Sequence, residues 1–216
     1  SMASHEFRTP LTAILSSASL IDEYITTEQQ DKRTRHVNRI KSAVNNLNDI
    51  LSDFLSISKI EEGKIIANYS VFDVHELITD TQGEMRGLLK DGQDVNYTHQ
   101  GEKLIYSDKK LIRNVIINLV SNAIKFSPED SQIEIATAVN DAQVIIKIKD
   151  NGMGISKEDK THLFERFFRG QNATNIQGTG LGLNIVANYV ELLNGFIELE
   201  SELDIGTEFI ITLPNK

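Results

Sequence analysis

Apolar residues follow two rhythms along this chain. Over the first sixty residues they recur at helical spacing. From about residue 65 onward, short alternating runs separate shorter helical stripes. Phe7, Leu11, Ile14, Leu15, Ala18, Ile21 and Ile25 make one stripe, which predicts a helix from Phe7 to Ile25. Thr26-Thr27-Glu28 interrupts it, and a second helix is predicted to about Glu61. Its residues Val37, Ile40, Val44, Leu47, Leu51 and Phe54 alternate spacings of three and four, a heptad seam. Ile50, Leu55 and Ile57 add a second stripe. A hairpin with apolar faces this wide cannot bury them alone. Two hairpins from two chains would close a four-helix bundle. The alternative is a seam packed on the second half of the same chain.

Glu61-Glu62-Gly63-Lys64 reads as a helix stop and short linker, dividing the chain into residues 1–62 and 63–216. Beyond it, Ile65 to Tyr69 reads as a strand. Asp73 would cap a helix carrying Val74, Leu77, Ile78, Met85 and Leu88. Val95-Tyr97-His99 and Leu104-Tyr106 are short strand candidates. Ser107 or Asp108 would cap a helix with Leu111, Ile112, Val115, Leu119 and Ala123 facing inward. Gln132–Val139 and Val144–Asp150 alternate cleanly around Asp141-Ala142, a hairpin. A helix from Leu181 to Leu193 ends at Asn194-Gly195. Phe196–Ser201 and Thr207–Leu213 make a last hairpin. The expected class is α+β: a helical hairpin, then an α/β sandwich with helices on one face of one sheet.

Composition narrows the functions. The chain of 216 residues is 40% hydrophobic and 25% charged, as a globular protein should be. A net charge of −9 without a Lys/Arg run argues against nucleic acid as partner, though not against a nucleotide. Without cysteine there is no disulfide or thiolate chemistry. The five histidines are scattered, without the spacing of a zinc site. No apolar run approaches the roughly 18 residues that cross a bilayer. The chain starts inside a helical pattern, so it is expected to be a piece of something longer.

Candidate chemistry begins at Ser4-His5-Glu6-Phe7-Arg8-Thr9-Pro10. Neutral imidazole is a nitrogen nucleophile near pH 7. Glu6 could take the ring proton if both side chains lean into one crevice. Thr9, one turn on, could hold a water. Pro10 withdraws one helical N–H, so either the helix bends there or it starts there with His5 in a frayed leader.

Four later segments look built for a nucleotide. Asn118, Asn122 and Lys125 share one helix face opposite the apolar stripe, offering amide oxygens for Mg²⁺ and a cation for phosphate, with Phe126 as a flat surface beside them. The plain alternative is a polar helix face. Asp150 has the parity of Val144, Ile146 and Ile148, so it points inward and needs a donor such as the adenine amine. Gly152 and Gly154 follow it, and their bare backbone could approach a flat ligand; the alternative is an ordinary Asp-Asn-Gly turn. Gly178-Thr179-Gly180-Leu181-Gly182 opens a helix whose first N–H groups suit phosphate, but with neither dinucleotide nor Walker spacing. The polar stretch from Phe164 through Gln171-Asn172-Ala173-Thr174-Asn175 reads as a lid. Its start, Phe164-Glu165-Arg166-Phe167-Phe168-Arg169, supplies aromatic anchors and arginines for phosphate.

Together these segments resemble the catalytic core of a sensor histidine kinase of two-component signalling. The phospho-acceptor, asparagine, first glycine, phenylalanine and second glycine boxes stand in order at His5, Asn118–Phe126, Asp150–Ile155, Phe164–Phe168 and Gly178–Leu183. The resemblance covers essentially the whole chain. It implies a dimerising hairpin with a Bergerat-type ATP-binding sandwich. It implies His5 as phospho-acceptor, Glu6 as its acid/base partner and Thr9 as the phosphatase residue. It places Asn122 on Mg²⁺, Asn118 and Lys125 at phosphates, Phe126 at the base, Asp150 at adenine and Arg169 at the γ-phosphate. The implied cofactors are ATP and Mg²⁺. The implied partners are a second copy and the receiver domain of a response regulator. The implied place is the cytoplasm, with the longer protein open to membrane anchoring. Two other classes stay in view: a nucleotide-binding scaffold without turnover, and an ATP-driven clamp like the topoisomerase relatives.

Overall fold

The computed structural model describes residues 2–173, 176 and 178–215. Helix α1 (Met2–Glu23) begins upstream of His5 and runs unbroken through Pro10. The reading of Pro10 as a helix start, with His5 in a frayed leader, is therefore corrected. A proline inside a helix removes one N–H, and Pro10 is buried, so its ring packs where it sits. A single 3₁₀ turn (Thr27–Gln29) reverses the chain into α2 (Gln30–Glu61). The turn is held by Thr26 N–H donating to the Gln29 side chain at 3.3 Å and by Arg33 donating to the Thr26 carbonyl at 2.8 Å.

It is the second stripe, at Ile50 and Ile57, and not the predicted seam, that is buried within the chain. Ala43, Ile50 and Ile57, seven residues apart, are buried within the chain. Val37, Val44, Leu51, Phe54 and Leu55 stay exposed, as do Leu11 and Leu15 on α1. One apolar face of the hairpin is thus used at home and the other is not. Ile57 and Ile60, in the last turns of α2, pack onto the core of the second half.

The second half holds a five-stranded sheet in the order β2-β4-β5-β7-β6, from β2 (Asp94–Gly101), β4 (Gln132–Val139), β5 (Gln143–Asp150), β6 (Phe196–Glu202) and β7 (Gly206–Pro214). β2 and β4 run parallel; the other neighbours are antiparallel. Strict alternation builds the inner face: Ile133, Ile135, Val144, Ile146, Ile148 and Ile211 are buried, while Glu134 and Lys149 on the opposite face are exposed. Helices α3 (Val74–Met85), α4 (Lys109–Phe126) and α6 (Gly182–Leu192) cover that inner face, while α5 (Lys157–Lys160) is a single turn after β5. A separate two-stranded ladder joins β1 (Ser70–Asp73) to β3 (Leu104–Ser107). The predicted strand at 65–69 is irregular backbone, and pairing begins at Ser70, where β3 supplies a partner.

Helix α4 organises the rest. Asp108 caps it twice over: Oδ1 accepts from Lys110 and Leu111 N–H, and Oδ2 accepts from Asn68 N–H at 2.7 Å. Its C-terminal carbonyls are taken by two residues of the loop before β2. Lys90 Nζ donates to the carbonyls of Lys125 and Ser127, and buried Gln93 donates to Ile124 and Pro128. Among the described residues no helix is long and apolar enough to cross a membrane.

Candidate active site

A cavity of about 720 Å³ opens between α4, the end of β5, the glycine segment before α6, and one face of α2. Helix geometry explains the first wall. The buried side of α4 carries Val115, Leu119 and Ala123, so Asn118, Asn122 and Lys125 fall on the opposite side, and all three line the cavity. Asn118 uses its amide N–H on the Asn114 carbonyl at 3.0 Å. Its oxygen is turned to Gly182, where a Cβ would lie 2.8 Å away. Lys125 Nζ sits 5.2 Å over the Phe126 ring. Burial, then the charge of Arg169, pull the Lys125 ammonium below the usual lysine range, while Asp49 acts the other way.

Asp150 stands at the far end, only 7% exposed. Its Oδ1 accepts from Gly152 N–H at 2.8 Å. Burial raises its carboxyl to about 6, against the opposing hydrogen bonds from the Gly152 and Thr207 backbone. A buried acceptor held near neutrality by its surroundings is poised for a donor from a ligand. The two glycines after it serve the protein's own packing first. A Cβ on Gly152 would sit 2.7 Å from both Asp150 Oδ1 and the Phe126 carbonyl oxygen. Gly154 has φ +66°, and a Cβ there would meet the Glu202 carbonyl oxygen at 1.9 Å. The protein's own packing therefore requires both glycines, and Gly154 lines the cavity as well. The glycines that a Cβ would turn into the cavity are Gly178, against Lys125 Nζ, and Gly182, against Asn118.

The segment from Phe164 to Gly180 closes the third side. Phe164 and Phe167 pack against the core, and Asn184 donates to the Phe164 carbonyl at 2.8 Å. Asn172 reaches the Gly154 carbonyl at 3.1 Å. The Arg169 guanidinium lines the cavity and donates to the carbonyls of Ala173 (3.1 Å) and Ile176 (2.7 Å). Thr174 and Asn175 of the predicted lid lie outside the described residues. Gly180, at φ +68°, lies against the Phe167–Phe168 backbone. Leu181 then leads into α6, and its N–H donates to Thr179 Oγ1 at 3.1 Å.

The fourth wall was not foreseen. Asn46, Asp49, Ser52 and Asp53 of α2 line the same cavity. Their spacing of three and four is a polar stripe beside the apolar seam, and that stripe was the available signal. Asp53 Oδ2 accepts from the Thr179 hydroxyl at 2.8 Å, and Arg166 pairs with Glu61 at 2.5 Å.

His5 does not line this cavity, and neither does any other α1 residue. Its side chain is 76% exposed, with Nδ1 3.7 Å from Glu6 Oε1. The Thr9 hydroxyl donates back to the His5 carbonyl at 3.2 Å and is exposed. The structure therefore brings together the residues of the second half and leaves exposed His5 and Thr9, with half-buried Glu6, as a separate group on α1.

Residues 107–216 match the family described as histidine kinase-, DNA gyrase B- and HSP90-like ATPase, and residues 1–63 match the His Kinase A (phospho-acceptor) domain. The autoinducer 2 sensor kinase/phosphatase LuxQ of Vibrio cholerae is 35% identical over 219 residues, spanning 98% of this chain and 25% of that protein. The chain thus spans about a quarter of the length of that relative. Full-length ShkA, solved in complex with AMPPNP, superposes with a TM-score of 0.73 at 26% identity, over 98% of this chain and 44% of that one. Histidine kinase ThkA in complex with the response regulator protein TrrA superposes at 0.77 with 24% identity, over 99% of this chain and 60% of that one. The latter likeness speaks for the fold.

Proposed function

The chain belongs to the histidine kinase family of ATPases, and from that premise we propose that it is an ATP-dependent protein-histidine kinase core acting on its own His5. The observation that carries the reading is a pairing within one chain. A cavity joins a buried acceptor, Asp150, to a polar helix face and a glycine-lined helix start. An exposed imidazole with a carboxylate at 3.7 Å stands outside it. Residues 63–216 bind the nucleotide and residues 1–62 dimerise and accept the phosphoryl group.

Asp150 accepts a hydrogen bond from the adenine amine, with Phe126 along the base. Lys125, Arg169 and the N–H groups at the start of α6 take the phosphates, with Gly178 and Gly182 leaving room for them. Asn122, with the oxygen of Asn118 beside it, suits Mg²⁺ already shared with phosphates. Among the described residues no three His, Asp or Glu side chains converge as a metal site, so the phosphates would supply the other ligands. When bound there, Mg²⁺ would supply charge neutralisation at the phosphates. The chain's own residues position the transferred group, and positioning accounts for most of phosphoryl-transfer catalysis.

One ring nitrogen of His5 bonds to the γ-phosphorus as its bond to the β,γ-bridging oxygen breaks and ADP leaves, while Glu6 takes the proton from the other ring nitrogen. Because His5 does not line the cavity, transfer requires the two halves to shift, or the partner's half to approach. The exposed faces of α1 and α2, with Leu11, Leu15, Val44, Leu51 and Phe54, form the dimer seam of a four-helix bundle. An exposed His5 is then open to an aspartate on a response regulator, and Thr9 places water when that regulator is dephosphorylated. Use of ATP puts this core on the cytoplasmic side.

The test is transfer of label from γ-labelled ATP. The expected protein label is acid-labile and base-stable, and absent from His5→Gln. Acid-stable label, or label retained by that variant, would remove the reading.

A further inference from the structure

The contact between α2 and the second glycine segment is chemically odd for a phosphate site. Thr179 donates its hydroxyl proton to Asp53 Oδ2 at 2.8 Å and accepts from Leu181 N–H at 3.1 Å. The hydroxyl is thereby engaged on both sides, and one of the N–H groups at the start of α6 is turned inward. Asp49 lies one turn before Asp53, and both line the cavity with Lys125 and Asn118. Asp49 acts electrostatically on both Lys125 and Asp53. Two carboxylates thus stand at the end of the cavity assigned above to the most negative part of the ligand.

Asp49 is exposed, and nothing nearby fully repays the partial burial of Asp53. Desolvation raises the Asp53 carboxyl, the Thr179 hydrogen bond lowers it, and Asp49 raises it again. A carboxylate in that position yields readily when a competitor with more charge takes its donors. Besides the packing of Ile57 and Ile60 on the core of the second half, Glu61 pairs with Arg166 at the surface, a pair of the kind worth little by itself.

We infer that Asp53 is a positioning residue of the nucleotide site, holding Thr179 and the second glycine segment against α2 until a triphosphate displaces its carboxylate. This rests on the ATP reading above and adds a consequence to it. Binding of phosphate, as distinct from binding of adenine, loosens the hairpin from the ATP-binding half. The freed half is then able to approach an acceptor histidine that its resting position does not reach. Asp53 touches no reacting atom; it acts through Thr179.

The test compares the full chain with Asp53→Asn and Asp49→Asn, titrating ATP, ADP and adenosine separately in the presence of Mg²⁺. Asp53→Asn keeps the shape and an acceptor but removes the charge. It should tighten ATP on the order of tenfold, as expected for one unscreened repulsion at close range. ADP should tighten less and adenosine not at all. Asp49→Asn should move ATP in the same direction. A merely structural role would shift adenosine and ATP alike, and that outcome overturns the inference. So does weaker ATP binding by Asp53→Asn, which would make the carboxylate a ligand of the Mg²⁺–nucleotide complex.

A second measurement uses the absence of native cysteine. Labels placed through Lys41→Cys and Glu158→Cys, both exposed positions on the two halves, should change separation on adding ATP but not adenosine. An unchanged distance with ATP bound would contradict the displacement. If the wild-type chain binds neither adenosine nor ATP, the nucleotide reading itself falls and takes this inference with it. Normal ATP binding with Asp53→Asn unchanged removes the inference alone.

Discussion

The two halves of this chain solve opposite problems. The second half closes on itself. Its sheet and three helices bury a continuous aliphatic core, and its functional side chains are held by neighbours, as Asp150 is by Gly152 and Thr207. The hairpin leaves Leu15 at 70% and Phe54 at 47% exposure, and its candidate acceptor at 76%. A nucleotide site gains from rigid, desolvated groups that already sit where the ligand will be. A phospho-acceptor visited by an ATP-bearing half and then by a regulator must stay accessible to both. The contrast teaches that order and burial mark the binding chemistry here, while exposure marks the transfer chemistry.

The largest effect should separate the two completely. His5→Gln should abolish autophosphorylation while ATP affinity stays within about twofold, because His5 does not line the cavity. Nucleotide titration beside a labelled time course decides it; a large affinity loss would mean the halves are not separable. Asp150→Asn should do the reverse. With its acceptor replaced in part by a donor, adenosine and ATP should weaken by about 100-fold, as for a lost charged hydrogen bond in a buried site. Sedimentation should still show the oligomeric state of the wild type. Leu51→Asp with Phe54→Asp should break the hairpin's own role. Charge placed on the exposed seam should raise the dimer dissociation constant by at least about tenfold and leave adenosine affinity unchanged. A dimer that survives it does not use this face.

The halves were unequally legible in the sequence, for physical reasons. Periodicity is a local signal, so the two long helices, the β4–β5 hairpin and the inward parity of Asp150 could be read directly. Pro10 left two readings open, a bend or a helix start, because a missing N–H alone does not decide between them; here it lies inside the helix and buried. The strand expected at Ile65–Tyr69 has apolar residues but no neighbour to pair with, and pairing is not local. The α2 wall of the cavity was missed because Asn46, Asp49 and Asp53 look like the solvated edge of a coiled coil until the second half docks on them. The packing need for a bare residue at Gly154 was not legible, since the carbonyl that excludes a side chain there lies some fifty residues away, at Glu202.

Two smaller effects sharpen the contrast. Asp150 titrates near 6 in the folded chain, above the ordinary carboxylate value, so the folded state holds its proton more tightly than the unfolded one. That contribution favours the folded state below the usual carboxylate range and is lost as pH rises through about 6. The adenine amine needs the ionised form, so adenosine affinity should fall as pH drops through about 6, approaching tenfold per unit. The Asp150→Asn variant should be flat over the same range. Adenosine is the proper probe because it carries no phosphate to titrate. Smallest of all, Thr9→Ala should slow dephosphorylation of a cognate regulator by several-fold and leave autophosphorylation within about twofold. Its hydroxyl bonds only its own helix among the described residues, so the fold should not register the change.

The account's central claim is that one exposed histidine receives what the buried site binds. The chain offers five histidines, at positions 5, 36, 75, 99 and 162. After a single turnover with ATP and Mg²⁺, peptides kept under basic conditions should be mapped by mass spectrometry for phosphohistidine. The account predicts phosphate on His5 and on none of the other four. Phosphate on another histidine, or an unmodified His5 in protein shown to have ATP bound and hydrolysed, would contradict it.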